Sequence, residues 1–498
     1  MNVNPITRLD YPDPDVIRVE DTYYMVSTTM HFMPGCEILQ SFDLVHWEHA
    51  TYVYETLDHT DAQQLKSGQN IYGQGMWAAS LRYHEGRFCI CFVANDTRKT
   101  YLYTSEKIDG PWKKQLIEGF YHDGSLLFDE DGRNYIVYGN DEIWITELNE
   151  DLTAPKKDGL HRLLVSDHKN PELGYEGSHI QKINGYYYIF LVHSLRDRWM
   201  RTEACFYSDS LEGEFTGGDV LCDDRGYCGQ GVAQGGIVDT PDGKWYAMLF
   251  QDSGAVGRIP ILLPVTWKDH FPVFGQNGHV PEEIEVHSTR PGYIYQPLVG
   301  SDDFCNGLLP RWQFNHDPDP RYYHLDALQG TYTITTREVC TELTQAVNTL
   351  TQRMSYPSCA AEVTVDASAL KEGDVAGLCA LQSYYAAVGI TKHHGKYEVL
   401  MLDKKEDGIL DMTEGTVVES HQMDFRLEAD FCNMKDEARC YYRVNKGDWL
   451  PIGTVHKLYF KLDHFTGCRF GLFCYAAEET GGSACFRDFK YYDVDEIS

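Results

Sequence analysis

Three carboxylates recur at one position of a repeated pattern, and paired carboxylates are the groups that acid–base hydrolysis uses. Asp13, Asp123 and Glu176 each stand nine residues before a turn residue that opens a strand rich in Tyr, Phe or Trp. Trp77 and Gln234 occupy the same position in two further copies. Neighbouring carboxylates shift one another's titration, so that one donates a proton while another accepts one. The pattern predicts an acid–base site.

The repeated units also predict how these residues are positioned. They recur every 46 to 64 residues, and each carries strand and hairpin signals. The strands after the turns are YYMVS, RFCICFV, RNYIVYG, YYYIFLV and KWYAMLF. Such repeats are typical of β-propeller blades, which share a central channel. We predict a five-bladed propeller over residues 1–292, with the five equivalent positions around one mouth of the channel.

The local sequence around each carboxylate favours a fixed, accessible side chain. Asp13 lies in YPDPD between two prolines, which stiffen the backbone. Two glycines flank Glu176 closely, so that backbone or ligand can approach it. Asp123 follows His122 and precedes a strand. Considered singly, each of these carboxylates is more typical of a turn residue. Their shared register, however, favours a catalytic role.

A second domain follows the repeats. Residues 290–304, RPGYIYQPLVGSDDF, have the Pro, Gly and Asp content of a linker. Beyond them, alternating runs such as TYTIT and AAEVTVDAS are separated by Gly and Asp turns, which predicts an antiparallel β-sandwich over residues 301–498. Helical periodicity is weak along the whole chain, so the predicted fold class is all-β.

The amino-acid composition restricts the classes of molecule that we expect the protein to bind. Asp and Glu number 75 against 43 Lys and Arg, a net charge of −32, which disfavours nucleic acid and anionic membranes and suits a neutral sugar. The sequence has no run of 18 apolar residues, and its first residues lack the pattern of a signal peptide, so we expect a cytoplasmic protein. The 15 cysteines are scattered through strand-like runs, which favours free thiols over disulfides.

The motifs around these carboxylates resemble glycoside hydrolase family 43, the five-bladed propellers that include β-xylosidases and α-L-arabinofuranosidases. The resembling segments are YPDPDVIRVEDTYYMVST, FMPGCEILQSFDLVHW, MWAASLRYHEGRF, HDGSLLFDEDGRNYIVYG, YEGSHIQKINGYYY, GGIVDTPDGKWYAMLFQD and GAVGRIPILLPVTW. NTLTQRM, in the second domain, resembles the concanavalin-like jelly roll that follows the propeller in the two-domain branch. The resemblance covers essentially the whole chain.

The resemblance assigns a role to each carboxylate. Asp13 matches the general base that activates water. Glu176 matches the general acid that protonates the leaving oxygen. Asp123 matches the carboxylate that orients this acid and keeps it protonated. The implied reaction is inverting hydrolysis, in which the acid and the base are roughly 6.5–9.5 Å apart across the scissile bond.

The resemblance also implies residues that bind the sugar. Arg258 matches an arginine that binds hydroxyl groups near Asp123. Trp77 and Phe32 match aromatic walls around the terminal sugar. Considered without the resemblance, an arginine of this kind is more often a surface residue and such aromatic residues are more often core.

One departure from the family concerns a metal. Many members have a histidine at the position of Ala233, often beside calcium or water in the channel, and related sequences have another near Ser253. We expect no cofactor for the chemistry, and a structural calcium remains open. The register predicts that Gln234 points inward instead.

The expected function is removal of a terminal xylose or arabinofuranose from hemicellulose-derived oligosaccharides. Two alternatives remain open: a carbohydrate-binding propeller without catalysis, and a family 43 glycosidase that acts on another linkage. The retaining invertase-like propellers are disfavoured, because YPDPD lacks the asparagines of their opening motif. A homo-oligomer is compatible with the resemblance.

Overall fold

The computed structural model describes residues 2–413 and 415–493. These residues form β-strands and short 3-10 helices, which confirms the all-β prediction. The 3-10 helices are Lys66–Gly68, Gly254–Val256, Leu343–Gln345 and Cys432–Met434. Nothing helical in the described part of the chain has the length and apolarity that a membrane crossing requires. The 15 cysteines are free thiols, as predicted.

The first part of the chain folds into five blades, each a four-stranded antiparallel sheet. Their strands are Asp15–Val19, Thr22–Ser27, Gly35–Ser41 and Glu48–Tyr54 in the first blade; Met76–His84, Arg87–Ala94, Lys99–Ser105 and Lys113–Ile117 in the second; Ser125–Phe128, Asn134–Asn140, Glu142–Leu148 and His161–Ser166 in the third; Glu176–Ile183, Tyr186–Ser194, Arg201–Ser208 and Thr216–Leu221 in the fourth; and Val232–Asp239, Trp245–Asp252, Arg258–Lys268 and Phe271–Phe274 in the fifth. The first strand of each blade contacts those of its neighbours, and the fifth blade contacts the first. The ring is therefore closed, as predicted.

The turns that define the register are the hairpins between the first two strands of each blade. Glu85 and Gly86 have φ of 49° and 78°, and Asn184 and Gly185 have φ of 51° and 86°. Two central residues with positive φ make a type I′ turn, whose twist matches that of the flanking strands. In the third and fifth blades a longer loop joins the same two strands, and its glycine, Gly132 or Gly243, also has positive φ. Residues nine positions before the turn residues reach the same end of the channel.

The second part of the chain folds into two packed sheets. One has the order Leu410–Met412, Lys396–Lys404, Ala386–His393, Val375–Leu381, Arg469–Tyr475, Leu350–Arg353, Gln313–Asn315 and Phe32–Met33, with Thr416–Val418 also paired to Lys396–Lys404; the other has the order Tyr323–Asp326, Thr331–Thr335, Ser483–Asp493, Ser358–Asp366, Gln422–Asp430, Glu437–Val444 and Leu450–Lys457. A short pair, Asn2–Val3 with Glu283–Ile284, ties the chain start to the end of the propeller. Apolar residues of both sandwich sheets form one core, which is the predicted sandwich.

The two domains share secondary structure and core. Phe32 and Met33, from the first blade, pair with Asn315 and Phe314 of the sandwich. Ala255 of the fifth blade is fully buried in the sandwich core. The sandwich is therefore built onto the propeller.

Candidate active site

A cavity of about 570 Å³ lies where the five first strands begin. Six of the predicted site residues line it: Asp13, Trp77, Asp123, Glu176, Gln234 and Arg258. The sandwich supplies another part of the wall, namely Met434, Phe460, Lys461, Leu462 and Phe465. The volume is typical of small-molecule sites. These residues therefore lie together at one channel mouth, where their shared register predicts them.

Backbone irregularities aim these side chains into the cavity. The ladders of the second, fourth and fifth blades shift register next to Met76, Glu176 and Ala233. Such bulges re-aim side chains at the edge of a sheet. Asp13 and Asp123 have φ of 52° and 47°. Left-handed backbone at non-glycine residues is uncommon, and it clusters at functional sites.

Asp13 is held by a donor on each carboxylate oxygen. Arg258 Nη1 donates to Oδ1 at 2.8 Å, and Thr28 Oγ1 donates to Oδ2 at 2.7 Å. Asp13 is 6% exposed and Arg258 is 2% exposed. Charge-assisted hydrogen bonds of this kind stabilise the negative charge and fix its orientation. Asp13 is therefore an anchored carboxylate with access to the cavity.

Glu176 and Asp123 are linked through the backbone of the fourth blade. Gly177 N donates to Asp123 Oδ2 at 3.1 Å, so Asp123 fixes the strand start that carries Glu176. Asn140 Nδ2 donates to Glu176 Oε2 at 2.7 Å. Glu176 remains partly exposed to the cavity, which suits a group that exchanges a proton with a ligand.

His122 stands between these two carboxylates. Its Nε2 lies 3.6 Å from Asp123 Oδ2 and 3.5 Å from Glu176 Oε2. The negative charge of Asp123 raises the pKa of His122 to about 9. Burial raises the pKa of Asp123 to about 6. The sequence placed His122 beside Asp123 but gave no sign that it faces Glu176.

Gln234 faces the cavity, as its register predicts, and packs against the fourth blade. Its backbone N–H donates to Glu203 Oε2 at 2.7 Å. A Cβ atom built on Gly177, where φ is +66°, would lie 2.8 Å from the Gln234 side chain. Glycine is therefore required beside Glu176, for both its backbone conformation and its close contact.

Arg258 lines the same cavity as Asp123, and its guanidinium group pairs with Asp13. One sequence prediction needs correction. Phe32 does not wall the cavity: it is 0% exposed, and the guanidinium carbon of Arg469 lies 3.5 Å from its ring centroid. The reason is its strand, which pairs with the sandwich and turns the ring into the interface. Met30, two residues earlier, lines the cavity.

Other residues of the site had no local sequence signal. Arg201 is buried and forms an ion pair with Asp252, and burial lowers the pKa of Arg201 to about 10. Phe465 comes from the sandwich, and its ring centroid is 5.7 Å from that of Trp77. These contacts join residues distant in sequence, so only the folded chain brings them together.

The channel below the cavity does not fit a calcium ion. Asp15 Oδ2 accepts hydrogen bonds from Arg82 Nη1 and Leu81 N, both at 2.7 Å, and Asp15 Oδ1 lies 3.1 Å from His179 Nδ1. Calcium requires six to eight oxygen ligands. The carboxylate is already satisfied, and Asp239, the acidic residue of the strand that carries Ala233, pairs with Arg18.

Comparison with known families agrees with this geometry. Residues 3–272 match the family model of glycosyl hydrolases family 43, and residues 301–492 match that of the β-xylosidase C-terminal concanavalin A-like domain. The chain belongs to glycoside hydrolase family 43. The family 43 match covers the blades with Asp13, Asp123, Glu176 and Arg258, and the second match covers the sandwich that supplies Phe465.

Similar proteins span nearly the whole chain. A β-xylosidase of Formosa agariphila is 26% identical over 555 residues, covering 99% of this chain and 89% of the relative. A xylosidase/arabinosidase of Butyrivibrio fibrisolvens is 24% identical and covers 99% of both chains.

Solved structures of the family are also similar. A bifunctional GH43-CE protein of Bacteroides eggerthii is 42% identical with a TM-score of 0.92, and covers 100% of this chain. This chain spans 64% of that protein's length. A GH43 glycoside hydrolase engineered to display both endo-xylanase and exo-arabinofuranosidase activity is 27% identical, with a TM-score of 0.88 and 99% coverage of both chains.

Proposed function

We propose that the protein is an inverting exo-glycosidase that removes terminal xylose or arabinofuranose from hemicellulose-derived oligosaccharides. The observation that carries the proposal is the placement of Asp13 and Glu176 on non-adjacent blades around one cavity. The relatives named as β-xylosidases and xylosidase/arabinosidases support the choice of pentose.

Each carboxylate takes one part of the reaction. Protonated Glu176 donates its proton to the glycosidic oxygen as the bond to the anomeric carbon breaks. Asp13 accepts a proton from a water molecule whose oxygen attacks the same carbon from the opposite face. The products are a free sugar of inverted anomeric configuration and a leaving group that carries the proton from Glu176.

The surrounding residues prepare this reaction. Arg258 and Thr28 hold Asp13 in one orientation, and Asn140 does so for Glu176. The wall formed by Phe460 and Phe465 narrows the cavity on the sandwich side, which favours a chain end over the middle of a polymer.

The test is hydrolysis of nitrophenyl β-D-xylopyranoside and α-L-arabinofuranoside, with xylobiose and arabino-oligosaccharides beside them. Glu176→Gln should lower turnover of the oligosaccharides by about 10²–10⁴-fold, since general acid catalysis contributes that much. Substrates with a better leaving group should lose less. NMR of the first product formed should reveal the inverted anomer.

The binding-protein alternative gives a different result. A carbohydrate-binding propeller would bind the sugars without turnover, and its affinity would not depend on the proton of Glu176. Full activity of Asp13→Asn would overturn the assignment of the base.

A further inference from the structure

One cluster in the cavity contains an imidazole in addition to two carboxylates. It consists of His122, Asp123 and Glu176. One nitrogen of His122 and one oxygen from each carboxylate all lie within 4.8 Å of one another. Imidazole nitrogen and carboxylate oxygen both bind zinc, and zinc sites that keep an open position have three protein ligands. We propose that these three residues bind a divalent transition-metal ion, Zn²⁺, and that the bound ion reversibly inhibits the enzyme.

The distances fit a tetrahedral ion. Zinc binds nitrogen and oxygen at about 2.0–2.2 Å, so two ligand atoms at tetrahedral positions are roughly 3.3–3.5 Å apart. His122 Nε2 is 3.5 Å from Glu176 Oε2 and 3.6 Å from Asp123 Oδ2. The two carboxylate oxygens lie within 4.8 Å of each other, so rotation of their side chains is needed to bring all three atoms onto one ion. The cavity leaves the fourth position open to water.

The surrounding hydrogen bonds leave each ligand atom free to bind. Asp123 Oδ2 accepts one hydrogen bond, from Gly177 N, and Glu176 Oε2 accepts one, from Asn140 Nδ2. A carboxylate oxygen has two acceptor sites, so each retains one. Carboxylates that bind a metal are themselves usually hydrogen-bonded, as both of these are. Within the described residues, His122 Nε2 is buried and makes no hydrogen bond.

Charge and ligand type select the ion. Five carboxylates line the cavity, and those of Asp13 and Asp252 pair with Arg258 and Arg201. A dication at the cluster offsets the charge of Asp123 and Glu176. Imidazole with two carboxylates suits zinc, whereas calcium and magnesium prefer oxygen ligands alone. Glu176 bound to zinc carries no proton, so it has none to give to the glycosidic oxygen. The inhibition therefore rests on the proposed function, but the metal site does not.

Metal binding is tested without substrate. Chelator-treated protein is titrated with Zn²⁺ by calorimetry, and with Co²⁺ by the visible absorption of four-coordinate cobalt. We expect one tight site per chain. His122→Asn should weaken it at least about tenfold, because even residues behind a ligand change affinity by that amount. Glu176→Gln should do the same. His59→Asn, at a largely exposed histidine paired with Asp317, is the matched control and should have no effect.

Inhibition is then measured with the glycosides. Zn²⁺ should block turnover competitively with sugar, and EDTA should restore it. Absence of the tight site, or equal affinity in His122→Asn and the wild type, would overturn the inference even if the enzyme hydrolyses both glycosides. A tight site lost in His122→Asn, in a protein that hydrolyses neither glycoside, would instead uphold the metal site and reject the proposed function.

Discussion

The ring of Phe465 lies 4.5 Å from the guanidinium carbon of Arg258, although the two residues belong to different domains. Arg258 is the residue that holds Asp13. The sandwich therefore contributes to the orientation of the base. A desolvated cation–π contact contributes about 2 kcal/mol.

Phe465→Ala should lower kcat/KM for both pentosides by about tenfold, because Arg258 loses the ring that covers it. Steady-state kinetics checks this. Leu328→Ala is the control: Leu328 belongs to the same domain, but it does not line the cavity, is 95% exposed and should leave the rate nearly unchanged. Equal effects of the two substitutions would contradict a specific role for Phe465.

Thr28→Val removes the hydroxyl group that donates to Asp13 Oδ2 at 2.7 Å and keeps nearly the same shape. A hydrogen bond to a charged group contributes about 1.5–3 kcal/mol, so kcat should fall by roughly 10–100-fold. Thr51→Val, whose hydroxyl donates only to the backbone of Tyr52, serves as control. A wild-type rate in Thr28→Val would show that Arg258 alone suffices to hold the base.

His122 should make stability depend on pH. Its pKa is raised from 6.5 to about 9, chiefly by Asp123. A raised pKa in the folded state means that the stabilisation is complete below pH 6.5 and is lost as pH rises through 9. The melting temperature of the wild type should therefore exceed that of His122→Asn by more at pH 7, where Asp123 is still ionised, than at pH 9.5.

NMR titration of the same imidazole tests the cause. In Asp123→Asn, the pKa of His122 should move down from about 9, because the main negative charge is gone while burial still disfavours the imidazolium. A pKa that stays near 9 would assign the effect to another group.

Trp199 lies at the cavity mouth and is 43% exposed. An exposed aromatic face there suits stacking on the second sugar of the substrate, and such contacts contribute roughly 1 kcal/mol. Trp199→Ala should raise KM for xylobiose about fivefold and leave methyl β-xyloside unchanged. Trp449→Ala, in the sandwich beside Arg443, is the control. Equal losses on both sugars would place Trp199 outside the leaving-group site.

The sequence predicted the features that follow from local repetition. Each blade repeats one pair of inner strands, and this pair places Asp13, Trp77, Asp123, Glu176 and Gln234 at one channel mouth. The propeller, the sandwich and the three carboxylates were therefore predictable.

One prediction failed where the two domains meet, and several contacts of the site had no sequence signal. Phe32 reads as an aromatic residue next to a blade strand, but a strand of the sandwich pairs with it and buries it. The partner of Arg258 depends on how the fifth blade closes against the first, which no local pattern specifies. His122, Asn140 and Phe465 were missed because their roles exist only as contacts between separate segments.

Asp10 connects two segments of the site that are synthesised at different times. One of its oxygens accepts a hydrogen bond from Arg258 N and the other accepts one from Gly467 N, at 2.7 and 2.8 Å. During synthesis the blades emerge from the ribosome first, and domains generally fold as units in that order. Gly467 and the neighbouring Phe465 come some 200 residues after Arg258. A nascent chain that has completed its propeller therefore still lacks one wall of its catalytic pocket, and gains that wall only after Phe465 and Gly467 have been synthesised.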